Sequence, residues 1–235
     1  MRFCQGCANS WVMKICLIKN FNMEKLLIIG TGGHAKSALD CISLTKKYEV
    51  IGLIDDFIPF GEERHGIPVV GCVDDVALMV KESETTLNIH IAIGDNKARK
   101  AIFERIGLRQ EHYVNIIHPT AYVSNVDVYI GNGVFIGAFA FINAGAIIYS
   151  FSLINSHASV DHDCLISTFC SLAPAATLAG AVSVGAVTQL SMGVNVGPKV
   201  KIGSNCLIGG GSFVKNNVPD NTYGFGVPFK AIRNI

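Results

Sequence analysis

From Ile130 to Val214, every sixth residue is Ile, Leu or Val: Ile130, Ile136, Ile142, Ile148, Ile154, Val160, Ile166, Leu172, Leu178, Val184, Leu190, Val196, Ile202, Ile208 and Val214. A small or β-branched residue sits two places before each, as at Val128, Ala140, Ala158, Cys164, Cys170, Val194 and Cys206. Gly follows at Gly131, Gly137, Gly185, Gly197, Gly203 and Gly209. A period of six matches neither the 3.6 of an α-helix nor the alternation of a strand. It is the period of a parallel β-helix built from hexapeptides, whose aliphatic side chains point into a narrow prism and stack on those a full coil away. Chance does not produce fifteen unbroken hits.

The 235 residues carry a net charge of +1, and only 16% are charged. No basic stripe or acidic block marks a nucleic-acid or membrane-surface partner. No window supplies the ~18 uninterrupted apolar residues of a membrane span. The low charge suits a solenoid that buries further surface in an oligomer. Residues 1–22 lack the apolar core and cleavage site of a secretory signal, and Cys4 and Cys7 have no second pair to complete a zinc site. The segment reads as a disordered or mis-annotated extension, with Met23 a plausible start. Cys164, Cys170 and Cys206 fall in the small-residue slot of the repeat, where they pack and form no disulfide framework. That usage points to the reducing cytoplasm.

Residues 23–112 read differently. The apolar run at 24–30 ends in Gly30, and further runs follow at Val50–Ile54, Pro68–Gly71 and Asn88–Gly94, with helical spacing after Gly33, over Val73–Lys81 and over Asn96–Ile106. Strands alternating with helices describe half of a doubly wound, Rossmann-like α/β fold. Its first turn, Gly30-Thr31-Gly32-Gly33-His34-Ala35, matches G-x-G-x-x-[GA], with Asp55 about 25 residues on, where a ribose-binding carboxylate is expected. Small residues let backbone approach a pyrophosphate, and a helix N-terminus offers it free N–H groups. His34 at the helix start favours an anion-facing role. The near match to a P-loop lacks its second Gly and a magnesium partner. The domain has no room for a full dinucleotide, so a mononucleotide or nucleotide sugar fits better. A ligand-free Gly-rich turn is the bland alternative.

Within the repeat, residues 113–235, the segment around His157, Asp161, His162 and Asp163 concentrates titratable groups. A neutral imidazole is a good general base near pH 7, and a carboxylate on its far nitrogen fixes the tautomer and raises basicity. The same His could be a surface residue on a turn. His157 and His162 have the spacing of two zinc ligands in hexapeptide-repeat carbonic anhydrases, but Ala121 stands where the third His belongs, and zinc needs three ligands. No metal is expected.

The turn from Ile29 to Lys36, the Asp55-Asp56 pair, the Ala92-Ile93-Gly94-Asp95-Asn96 strand end and Val160-Asp161-His162-Asp163-Cys164 together resemble the sialic acid O-acetyltransferase family, which includes N-acetyltransferases of UDP-4-amino sugars. The resemblance covers residues 24–232. It implies a left-handed β-helix, a homotrimer with active sites between subunits, and acetyl-CoA as donor. It implies His162 as general base and Asp163 as the group that raises its basicity. Gly32, Gly33, His34, Asp55 and Asp56 would hold the nucleotide or sugar, with Gly94 at the edge. Ser171, Met192 and Gly210 would fall on coenzyme-contacting positions, with the Gly180 N–H the best candidate for the oxyanion donor. Relatives often carry His at the position of Ser171, which leaves the acceptor open.

The reading is direct acetyl transfer to an amino sugar, nucleotide-activated sugar or sialic acid, with no cysteine nucleophile. The run from Val218 to Lys230 resembles the loop after the last coil, which could border the coenzyme channel. The rivals are a non-catalytic trimeric scaffold with a nucleotide-binding domain, an acyltransferase using another thioester, and the metalloenzyme. The scaffold would have no use for His162 between two acids.

Overall fold

The computed structural model describes residues 23–235, so the reading of the first 22 lies outside the described residues. Strands Glu24–Ile29 (β1), Tyr48–Ile54 (β2), Ile67–Gly71 (β4) and Leu87–Ile91 (β5) are parallel in the order β4-β2-β1-β5. The two-residue β3, Glu63–Arg64, pairs antiparallel at the β4 edge. This is one half of a doubly wound sheet. The strands are continuously apolar because both faces are covered. Leu26 and Ile28 pack with the helix Gly33–Thr45 through Ala35, Ala38 and Ile42. Leu27 and Ile29 pack on the other side with Val76 and Ile106, from the helices Val76–Glu82 and Asn96–Ile106. The last of these matches its expected span. It is capped by the Asp95 carboxylate on the Ala98 N–H at 2.7 Å and ends at Gly107, φ 70°. Where a helix was expected from Val73, a 3-10 turn, Val73–Asp75, comes first, because the Asp75 carboxylate folds back on the Cys72 N–H at 2.9 Å.

From Ile116 to Val214 the chain is the expected left-handed parallel β-helix, followed by an antiparallel pair of strands, Thr222–Phe225 and Lys230–Asn234. Two-residue strands pair with those 18 residues away, so Ile142 meets Val160 and Ile154 meets Leu172. They form three faces. The first holds Phe141–Ile142, Ser159–Val160 and their stacked equivalents, and the second Ile147–Ile148 and Leu165–Ile166. The third holds Ile116–Ile117, Phe135–Ile136, Leu153–Ile154, Ser171–Leu172 and Gln189–Leu190. Every aliphatic residue of the period from Ile136 onward is buried in the prism, as are the small residues before them. Cys164, Cys170 and Cys206 lie inside, their thiols donating to the carbonyls of Ala179, Gly185 and Pro219. Burial pushes Cys164 up to about 11 and Cys170 up to about 12, so they pack as expected and are poor nucleophiles.

A second period of six governs the vertices. Every sixth residue from Asp127 to Gly211 adopts φ between 51° and 69°, yet only Gly133, Gly145, Gly193 and Gly211 are glycine. Each left-handed L-residue costs about 1–2 kcal/mol, offset by hydrogen bonds from its N–H to the preceding coil, such as Asp163 to the Ala144 carbonyl at 3.1 Å and Ala181 to the His162 carbonyl at 2.9 Å. Because these side chains project at corners, bulky ones become docking points. Phe151 and Phe169, at the vertex between second and third faces, stack 4.9 Å apart and pack on Phe103 of the last α-helix. The N-terminal domain therefore covers that vertex and the third face.

Candidate functional site

The turn after β1 begins at Gly30, whose φ of 106° requires glycine, and where a Cβ would lie 2.6 Å from Ile93 Cδ1 and 3.1 Å from the Ala92 carbonyl oxygen. The following helix has no side-chain cap, which leaves its first N–H groups available to an anion. Around this helix start, a Cβ added to Gly32, Gly33 or Gly94 would meet nothing within 4 Å, so an open cradle surrounds all three. Asp55 borders it, its carboxylate accepting from Thr31 Oγ1 at 2.7 Å and the Phe57 N–H at 2.9 Å. Asp56 turns away: it accepts from the Val73 N–H at 3.0 Å and pairs with Arg105, which also grips Asp74. Burial, with the nearby His90 and Arg99, pulls His34 down to about 3. His34 is therefore neutral near pH 7, and the positive end this turn offers an anion is its backbone.

His162 and Asp163 occupy the vertex between the first and second faces. Nδ1 of His162 donates to Asp163 Oδ2 at 2.8 Å, which leaves the Nε2 lone pair outward. The hydrogen bond to Asp163, then the charge of Asp161, hold the His162 pKa above its ordinary value. Asp161 is itself fixed by Asn143 Nδ2 at 2.8 Å and by the His162 N–H at 2.7 Å. Those bonds keep its carboxyl below the usual range. The coils on either side make room. A Cβ on Gly180, one coil on, would lie 2.5 Å from His162 Nε2, and one on Gly145, one coil back, 2.6 Å from Asp163 Oδ1. Gly180 donates no backbone hydrogen bond among the described residues, so its N–H is available beside Nε2.

The remaining residues lie elsewhere. Ser171 is on the third face beneath the N-terminal domain, where its hydroxyl donates to Asn96 Oδ1 at 2.5 Å. Buried Arg99 closes this junction, donating to the Phe151 carbonyl at 2.8 Å, the Ile93 carbonyl at 2.7 Å and Asn96 Oδ1 at 2.7 Å. Burial lowers it to about 10, so it remains a cation held by neutral oxygens. Met192 is exposed at the vertex between third and first faces, with Gly210 stacked one coil on. His157 stands at that same vertex, stacked on Phe139 at 5.1 Å. His157 and His162 thus sit on different corners and share no ion. Among the described residues, no group of three or more His, Cys, Asp or Glu is arranged so that it could hold a metal ion.

One consequence is geometric. The glycine turn overlies the third face, and the vertex bearing His162 is opposite that face. Within a single chain the two halves of the expected site point apart. Sequence reasoning missed Asn143, Asn96, Arg99 and His90. Asn143 was visible in principle, since it precedes Asp161 by one coil of 18 residues.

Residues 25–106 match the family described as the PglD N-terminal domain. The chain is 35% identical over 114 residues to UDP-N-acetylbacillosamine N-acetyltransferase of Bacillus subtilis, a match spanning 47% of this chain and half of that relative. Its structure is similar to that of a mutant form of perosamine N-acetyltransferase from Caulobacter crescentus, solved with CoA and GDP-perosamine (TM-score 0.81, 34% identity, 89% of this chain and 97% of that one). It is similar also to the acetyltransferase domain of PglB from Neisseria gonorrhoeae, solved with acetyl coenzyme A (TM-score 0.79, 30% identity, 89% of this chain and 100% of that one). The fold is thus shared along nearly the whole of the two solved proteins, at 30% identity or more, and the chain belongs to the family of hexapeptide-repeat sugar acetyltransferases that its sequence resembles.

Proposed function

We propose that the protein transfers the acetyl group of acetyl-CoA to the amino group of a nucleotide-linked sugar, at a site completed by two copies of the chain. The observation that carries this reading is His162 Nε2, left with a free lone pair by the Nδ1 bond to Asp163 and bordered by the side-chain-free Gly180. The acceptor nitrogen attacks the thioester carbonyl carbon, and His162 Nε2 takes the proton that nitrogen sheds. A C–N bond forms, the C–S bond breaks, and the proton held on His162 passes to the departing sulfur, so that CoA leaves as the thiol. The Gly180 N–H donates to the carbonyl oxygen as negative charge develops there. The open cradle at Gly32, Gly33 and Gly94 receives the nucleotide diphosphate, with Asp55 beside it. Met192 and Gly210 border the coenzyme.

Assembly supplies what one chain lacks. Exposed Tyr122, Phe141, Tyr129 and Tyr149 flank the His162 vertex, and Tyr122 stacks on Phe141 at 5.1 Å. Covering this band with neighbouring copies in a closed trimer would set the His162 of one chain against the glycine cradle of the next. GDP-perosamine bound to the Caulobacter relative supports an amino sugar on a nucleotide; sialic acid, and O-acetylation, remain in the panel that tests the acceptor.

The test is thiol release from acetyl-CoA with UDP-4-amino sugars, GDP-4-amino sugars and sialic acid, for the wild type and His162→Ala. Turnover with a nucleotide amino sugar, lowered about 10²–10⁴-fold in the variant, is expected. Turnover unaffected by the substitution would remove His162 as base. No coenzyme binding at all would favour the scaffold.

A further inference from the structure

His90 is fully enclosed on β5, and the mechanism above gives it no task. It pairs in register with Ile28 of β1 and so projects from the same face of the sheet. Ile28 packs among Ala35, Ala38 and Phe135, and the His34 ring meets Phe135 edge-on at 4.8 Å. His90 therefore enters the layer beneath the start of the glycine-turn helix, beside His34. Nδ1 of His90 lies 3.0 Å from the Val114 carbonyl. A carbonyl only accepts, so this nitrogen carries the proton, and Nε2 of a neutral His90 is left as a bare lone pair. That Nε2 is buried without a partner, and so is Nε2 of His34. Two buried ring nitrogens without partners, on neighbouring imidazoles, form an unfilled hydrogen-bonding pair. Burial keeps both rings neutral, with His90 pulled down to about 4, and the Arg99 guanidinium opposes protonation of either.

We infer that His90 fixes His34 as its Nε2–H tautomer, so that His34 presents a hydrogen-bond acceptor, Nδ1, to the acceptor sugar. Where the two nitrogens meet directly, the lone pair at His90 Nε2 requires a neutral His34 that donates from its own Nε2. The ring nitrogen left toward the cleft then accepts. It attracts an N–H or O–H of the sugar and repels a phosphate oxygen, which has only lone pairs to offer. His34 is thus a reader of the sugar's donor groups, while the diphosphate is left to the backbone of the turn. His90 is a positioning residue that acts through His34. The consequence for the sugar rests on the acetyl-transfer reading; the tautomer does not.

Nitrogen NMR of protein labelled with ¹⁵N-histidine reads the tautomer without substrate, and the His34 signals are those lost in His34→Gln. At neutral pH the wild type is expected to show a protonated Nε2 and a bare Nδ1. A protonated Nδ1, or an even mixture, overturns the inference, and this needs no variant of His90 to fold. His90→Phe removes the lone pair and is expected to mix the tautomers and raise the KM for the sugar about tenfold, with kcat little changed. His90→Gln keeps an acceptor near the same place and should restore both. A KM for the sugar unmoved in His90→Phe, with the tautomers mixed, overturns the role in acceptor selection. Wild-type protein without turnover on any sugar would count against the transfer reading alone.

Discussion

Two sets of glycines, one in each region, face opposite surroundings. In the N-terminal turn, Gly32, Gly33 and Gly94 face open space, and a side chain there would touch no part of the protein. In the prism, a Cβ on Gly131 would lie 2.6 Å from Ser150 Oγ and 2.7 Å from the Ser150 nitrogen, and one on Gly137 would lie 2.7 Å from the Ser156 nitrogen. In the proposed acetyl transfer the first set is small because the nucleotide must approach; the second is small because the next coil already has. Gly180 belongs to the prism by position but to the first set by purpose, since what crowds it is the imidazole of His162. A glycine in a solenoid is thus ambiguous until its neighbour is known.

Substitutions can break or sharpen that contrast. Gly180→Ala should have the largest effect on activity, since a Cβ 2.5 Å from Nε2 forces the His162 ring aside. A misplacement of about 1 Å lowers kcat on the order of 10²-fold, with thermal stability nearly unchanged. Gly33→Val should fold normally and raise the KM for the acceptor, not for acetyl-CoA, by about tenfold or more, which is ~1.4 kcal/mol of lost binding. A fall in melting temperature without a change in KM would place Gly33 with the structural glycines. Gly131→Ala should do the reverse, destabilising the fold by about 1–3 kcal/mol with kcat/KM intact, as read by denaturant unfolding and the thiol assay.

The smallest effect is a shift in pH dependence. His162 must be neutral to accept a proton, and its pKa is raised by Asp163 first and Asp161 second. The acid limb of kcat/KM is therefore expected above the ordinary histidine value near 6.5. Asp163→Asn should move it downward, and an unmoved limb would separate the Asp163 contact from catalysis. As a stability effect the sign is opposite to that of a buried neutral ring. The His162 contact favours the fold below the unfolded pKa and is lost as pH rises through the folded one. His90, lowered to about 4, instead withdraws stability as pH falls from about 6.5 toward 4.

The prism was legible because its period repeats: any residue with Ile, Leu or Val at its sixth neighbours has a determined direction. The strands and helices of the first domain were legible for the ordinary reason that buried runs end at Gly or Asp. The site was legible only in pieces. His162 stood out as an imidazole between acids, but Asn143, which fixes Asp161, is separated by a full coil, and the left-handed φ of Phe151 and Phe169 leaves no mark in a list of apolar residues. Ser171 reads as a coenzyme contact, yet in the fold its hydroxyl is tied to Asn96, a residue 75 positions earlier that no local pattern links to it. The charge state of His34 was hidden as well, because it depends on His90 and Arg99 arriving from other elements.

The central claim is that the cradle of one chain works with the His162 of another. Complementation tests it directly. His162→Ala chains, nearly inactive alone, and Gly33→Val chains, left with about a tenth of the wild-type rate or less at low acceptor concentration, would be unfolded together, refolded as mixed oligomers and assayed for thiol release. With random mixing in a trimer, about one quarter of the sites pair an intact cradle with an intact His162 from a neighbour, so activity near that fraction of wild type is predicted. Mixed oligomers, verified by differential tagging, that stay as inactive as their parents would contradict the account and put cradle and base on the same chain.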